Sequence, residues 1–140
     1  ADPIALVRQS LFDASQALAA TQRAHSDIAD MLQGGEDVPK AMNKLGETLN
    51  VWQGAQDVLA RGYALLNIDP AMIELPEDIA EGKPVTALFQ ELGEQLREVR
   101  RSIEDHDLAS LADAIGYELE PLAGEWAKVL AVAAETLVKP

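Results

Sequence analysis

From Ile4 onward the apolar positions advance by alternate steps of three and four: Ile4, Val7, Leu11, Ala14 and Leu18. Thr21 and His25 hold the same places before Ile28 and Leu32. A mean step near 3.5 residues keeps one face of an α-helix apolar, whereas a half-buried strand needs a step of two. A second stripe runs Val38, Met42, Leu45, Leu49, Trp52, Gln56, Leu59, Tyr63, Leu66. The third is Val85, Phe89, Leu92, Leu96, Val99, Ile103, His106, and the fourth Leu108, Ala112, Ile115, Leu119, Leu122, Trp126, Val129, Ala133. These stripes predict helices over roughly 3–33, 38–66, 84–105 and 108–138.

The punctuation agrees with the stripes. Asp2 and Pro3 suit a helix start, and Gly34–Gly35 a helix end. Asp37 is placed to cap the second helix, Pro84 opens the third, and Asp107 is placed to cap the fourth. Short joints at Gly34–Asp37 and at His106–Asp107 require neighbours that run in opposite directions. Between the second and third stripes, residues 67–83 carry five acids and one lysine. Asp69–Pro70 is placed there to start a helical turn whose Met72, Ile73 and Leu75 close one end of the fold. The reading is all-α: one domain over 1–140, an antiparallel four-helix bundle built of two helical hairpins joined by a long acidic loop.

Composition narrows the function. Apolar residues are 48% of the 140, so a packed core is expected, and aromatics at 4% favour closely packed helices over sheets. Twenty-four acids against 11 bases give a net charge of −13. Such a surface repels phosphate backbones and anionic lipid, which argues against nucleic-acid and membrane partners and suits a basic or amphipathic protein segment. The absence of cysteine removes disulfides, thiolate catalysis and cysteine-held metals. The longest apolar run, "VLAVAA" at 129–134, is too short to span a bilayer. With no basic segment leading into an apolar one, the sequence predicts no signal peptide and a cytoplasmic location.

Candidate chemistry is sparse. A di-iron bundle needs Glu-x-x-His pairs, but Gln22 precedes His25 by three and Ile103 precedes His106 by three. No metal and no cofactor are therefore expected. The cluster "EDHD" at 104–107 reads as a helix end with Asp107 capping the next helix. A histidine phosphotransfer domain presents an exposed histidine, commonly with lysine three residues on and glycine four. "RAHSDIADM" shares only the Ala–His pair and has Ile28 and Ala29 at those places. A divergent phosphotransfer bundle using His25 is the alternative reading. On the seam, His25 would instead be buried and neutral, paired with Gln56 across the first two helices, and acid would destabilise it. Nucleophile-elbow, phosphate-loop and dinucleotide glycine patterns are absent.

The fourth stripe contains the segment with most to explain, "ADAIGYELEPLAGEW" at 112–126. Pro121 has no N–H for the Tyr117 carbonyl and crowds it, so a kink is expected at Tyr117 and Pro121. Asp113, Tyr117, Glu120 and Gly124, at steps of four, three and four, are predicted to share an outward face and to form a partner-binding patch.

Residues 102–126 also resemble a pattern recurring in small uncharacterised bacterial helical proteins. It consists of an acidic turn, Leu-Ala-Asp, Tyr-Glu-Leu, a proline–leucine pair and a tryptophan, matched here at Asp107, Leu111, Ala112, Asp113, Tyr117, Glu118, Leu119, Pro121, Leu122 and Trp126. The resemblance implies a bacterial helical domain and brings no activity with it. The functional expectation is a non-enzymatic interaction protein, an adaptor or small chaperone, that binds a protein partner. Coiled-coil-like stripes can also pair between chains, so a homo-oligomer is a further reading, which molar mass in solution decides.

Overall fold

The computed structural model describes residues 2–72 and 75–136, and the described residues are all-helical. Helix α1 spans Pro3–Gly34, α2 Val38–Leu65, α3 Glu77–Ala80, α4 Val85–Glu104, α5 Leu108–Asp113 and α6 Glu120–Thr136. A 3₁₀ turn lies at Pro70–Met72, and a π-helical segment, Ala114–Leu119, joins α5 to α6. The expected end of the last helix at 138 lies outside the described residues, as does Ile73.

Local chemistry sets the ends. The Asp2 carboxylate accepts the Ile4 N–H at 3.0 Å, with Pro3 in the first turn of α1. Asp37 accepts the Lys40 N–H at 3.2 Å, and Asp107 accepts the Ser110 N–H at 3.0 Å. Three helices stop by one device, a left-handed residue followed by an N–H that reaches back five residues. Gly35 (φ 67) ends α1 with Glu36 donating to Met31, and Asn67 (φ 57) ends α2 with Ile68 donating to Tyr63. His106 (φ 54) ends α4 with Asp107 donating to Ser102. His106 is therefore an exposed terminator, and its expected place on the third stripe is corrected.

Helix α1 packs against α2 on one side and α6 on the other. Four of its buried positions, Leu11, Leu18, His25 and Leu32, recur every seven residues as its stripe predicts, with Ile28 and Ala29 buried beside them, although Ile4 at the start is exposed. On α2 the buried set is Ala41, Leu45, Thr48, Trp52, Ala55, Leu59, Gly62 and Tyr63. The expected Leu45, Trp52, Leu59 and Tyr63 hold. Between them sit small residues one place before the predicted Met42, Leu49 and Gln56, which are only half-buried. Helix α4 brings Leu88, Leu92 and Val99 to the core and packs on α5 and the π segment.

Contacts along α1 run in opposite order to those on its partners. Val7 lies against Gly62 and His25 against Trp52. Ser15 donates to the Ala127 carbonyl at 2.6 Å, Gln22 to the Glu120 carbonyl at 3.3 Å, and Ala29 lies against Gly116. Within 67–83 the chain folds back on itself, with the Leu75 N–H on the Lys83 carbonyl at 2.9 Å. Leu75 and Ala80 are buried there, but Met72, expected to close an end of the fold, is 79% exposed.

Gly116 lies close against α1. A Cβ added there would lie 2.9 Å from the Ala29 Cβ, an atom that cannot swing aside. Gly116→Ala is expected to destabilise the protein by about 1–2 kcal/mol, because overpacking outweighs the roughly 1 kcal/mol helix preference of alanine. Ala29→Gly in the same chain vacates the space. A urea-melt double-mutant cycle should therefore return a favourable coupling between the two positions, and strictly additive costs would refute the contact.

Candidate functional site: the groove beside the π segment

Buried residues Leu111, Ile115, Leu119, Ala123 and Ala127 are four apart throughout. An α-helix turns once in 3.6 residues, so each step of four carries a side chain about 40° further round. A run of such steps leaves the core unless one turn widens. The π segment supplies that turn, with the Glu120 N–H on the Ile115 carbonyl five residues back. Pro121 follows directly. It has no N–H to give to Gly116 or Tyr117, so the wide turn sits where the α-helical ladder is already broken. The helical stretch expected from 108 runs without a break to Thr136, but as α5, a π segment and α6, with the widened turn just before Pro121.

The wide turn redistributes the predicted row. Tyr117, mid-segment, is 71% exposed. With Pro121 and Leu122 it forms one wall of a groove of about 220 Å³, and Glu94 and Gln95 of α4 form the facing wall. Glu91, Glu118 and Glu125 complete it, so among the described residues every charged group lining the groove is a carboxylate. Asp113 is exposed outside the groove. Glu120 is half-buried, and its carbonyl is taken by Gln22. Gly124 faces α1, where an added Cβ would lie 2.7 Å from the Gln22 amide nitrogen. The four residues expected on one outward face are thus divided. Tyr117 looks into the α4 groove, Gly124 and the Glu120 carbonyl look toward α1, and only Asp113 stands free. Sequence reasoning missed Glu91, Glu94 and Gln95, which lie on another helix with no spacing to link them to Tyr117.

The groove's electrostatics are one-sided. Burial pushes the Glu125 carboxyl above its ordinary range, helped by Glu91 and Glu81 and opposed by Lys83. Glu125 Oε1 is buried without a hydrogen-bond partner. Lys83 pairs with Glu91 at 2.9 Å, and that bond raises the lysine pKa. A cationic side chain entering beside Glu94, Glu118 and Glu125 would relieve this repulsion, while Tyr117, Pro121 and Leu122 offer apolar and aromatic contact.

His25 lies elsewhere, at the centre of the core and 0% exposed. Its Nε2 accepts the Trp52 indole N–H at 3.0 Å and its Nδ1 meets the Thr21 carbonyl at 2.9 Å. The expected Gln56 partner is corrected to Trp52, one turn earlier; Gln56 donates instead to the Trp52 carbonyl. With both ring nitrogens engaged, His25 presents no free nitrogen to a phosphoryl donor. Trp52 stands edge-on to Trp126 at 5.8 Å and Phe89 edge-on to Trp126 at 5.2 Å, forming one aromatic cluster across α2, α4 and α6.

Among the described residues no group of three histidine or acidic side chains is arranged to hold a metal, and no helix is long and apolar enough to cross a membrane. Comparison with protein-family models, with curated proteins and with solved structures finds no match to this chain.

Proposed function

We propose that this chain is a non-enzymatic interaction protein, an adaptor or small chaperone of bacterial type, that holds a basic or amphipathic helical segment of a protein partner. Its scaffold is an antiparallel four-helix bundle of two hairpins joined by the acidic segment 67–83. The opposed order of contacts between α1 and its neighbours supports that arrangement. The observation that carries the functional reading is the π segment, which turns Tyr117 outward into a groove whose charged lining, among the described residues, is carboxylate throughout. Wide turns of this kind recur at functional sites, and exposed aromatics beside complementary charge anchor partners.

The test is a titration with a 15-residue amphipathic helical peptide bearing lysines, against the same peptide with glutamates in their place. The lysine peptide is expected to shift the amide resonances of Tyr117, Leu122 and Glu94 and to weaken as salt rises. Tyr117→Ala, and Glu94→Gln with Glu118→Gln, should each lower its affinity about tenfold, the loss of roughly 1.4 kcal/mol typical of an anchoring contact. Asp113→Ala should leave it unchanged. Equal binding of both peptides, or indifference to the Tyr117 and glutamate variants, would remove the groove from consideration.

A further inference from the structure

At the opposite end of α1, about 30 Å from the π segment at 1.5 Å per residue, lies a larger cavity of a different character. It is a trough of about 660 Å³ between the first turns of α1 and the last turns of α2. Leu6 and Val7 line it from α1, and Val58, Gly62 and Leu65 from α2. Leu6 is 59% exposed and Leu65 57%, although the adjoining core is closed. Two of the few large apolar side chains left in water thus face one trough. Among the described residues its single charged lining residue is Arg61. On a chain of net charge −13, an apolar trough whose one charge among the described residues is a guanidinium is the reverse of the carboxylate groove beside Tyr117.

We infer that this trough is a second binding site, for an anionic amphiphile of the fatty-acid class, with its carboxylate on Arg61 and its alkyl chain along Leu6, Val7, Val58 and Leu65. A volume in the hundreds of Å³, apolar walls and one polar group that fixes orientation are the marks of a small-ligand site. The planar guanidinium holds a carboxylate through two parallel N–H bonds. A sulfate- or phosphate-headed chain would meet the same fork of donors, and the probes below separate these heads from a carboxylate. A second copy of this chain would bring its own excess of acids against the first, which favours a small amphiphile as occupant. Gly62 keeps the floor low, since a Cβ there would already touch the Val7 side chain at 3.5 Å. The inference is independent of the groove at Tyr117.

The experiment uses dodecanoate below its micellar concentration as probe. Dodecyl maltoside serves as the neutral control, dodecyl sulfate as the alternative anion and dodecyltrimethylammonium as the cation. Binding is read from methyl resonances and calorimetry. Dodecanoate is expected to saturate at one per chain and to shift the Leu6, Val7, Val58 and Leu65 methyls. Arg61→Gln should weaken it at least tenfold and leave the weaker maltoside binding unchanged. Arg61 is exposed, so the variant keeps the fold; Leu6→Gln, also at an exposed position, should weaken every probe. Equal affinity for the acid and the maltoside, shifts confined to other methyls, indifference to Arg61→Gln, or tighter binding of the cation would each overturn the assignment. Tighter binding of the sulfate would overturn the carboxylate preference. Shifts of the same methyls with protein concentration alone, accompanied by a doubled molar mass, would overturn it in favour of a second copy.

Discussion

Trp52→Ala is expected to cost about 4 kcal/mol, the loss typical of deleting a fully buried tryptophan. The side chain is 0% exposed and edge-on to Trp126. Its indole N–H is also the donor to His25 Nε2. Alanine would open a cavity where α2 meets α6 and leave a buried imidazole nitrogen without a donor. Domains of this size stand about 5–15 kcal/mol above the unfolded chain, so the variant should be marginal at 37 °C. At a urea slope of roughly 1–3 kcal/mol per molar, its unfolding midpoint should drop by a molar or more. A milder pair separates packing from hydrogen bonding. Trp52→Phe and Trp126→Phe each shrink one indole of the same cluster, but the Trp126 Nε1 has no hydrogen-bond partner to lose. Trp52→Phe should therefore cost more, by the roughly 1–3 kcal/mol of a buried group left unsatisfied. If Trp126→Phe proved equally or more damaging, the indole–imidazole bond would not be a main contributor to the core.

That bond joins positions whose separate burial the sequence does reveal. The seven-residue recurrence of Leu11, Leu18, His25 and Leu32 is visible because three of the four are leucine, and His25 stands in phase with them. The α2 seam was half legible for the opposite reason. Ala41, Thr48, Ala55 and Gly62 look uninformative in a sequence, so the eye passes to the larger Met42, Leu49 and Gln56 beside them. Small residues are what a close helix approach needs. The helix ends were legible where the chemistry is local, as at Asp2, Gly35, Asp37 and Asp107. The expected ends at 66 and 105 also lie within one residue of Leu65 and Glu104, but the device that makes them, a left-handed φ without glycine at Asn67 and His106, left no sign in the sequence. The π segment did leave a trace, the unbroken steps of four from Leu111 to Ala127, and that trace competes with the 3.5-residue stripe through Leu122. Choosing the stripe placed Gly124 outward. Following the fours would have turned it toward α1 and left Tyr117 beside Pro121. The far wall of the groove depends on how α4 docks, which no local pattern encodes.

Acid is expected to destabilise this protein through His25, and the effect should vanish when that residue is replaced. Burial holds the imidazole below its ordinary pKa of 6.5, opposed by the backbone carbonyls of Thr21 and Gln22 and by Glu120 across from α6. The Trp52 N–H faces it from α2 and suits only the neutral ring, since a protonated Nε2 would meet another donor. The folded state therefore binds this proton less readily than the unfolded chain. Its contribution to stability is complete above the unfolded pKa and is lost as pH falls through 6.5 toward the lower folded value. Urea midpoints should be level from pH 8 to 7 and decline from 7 to 5. The stability lost, at about 1.4 kcal/mol per pKa unit, then reports the folded pKa directly once the curve turns level again. His25→Gln keeps an acceptor for Trp52 without a titrating proton. It is expected to lower stability by about 1–3 kcal/mol at pH 8, yet to lose the decline that His25 causes between pH 7 and 5; the raised Glu125 carboxyl, common to both proteins, acts in the opposite sense and leaves their difference to His25. Parallel pH profiles for the two proteins would assign the acid sensitivity to groups other than His25. Convergence of the two curves toward pH 5 would show that the neutral histidine, held between the Thr21 carbonyl and the Trp52 indole, keeps α1 and α2 in register only while it stays uncharged.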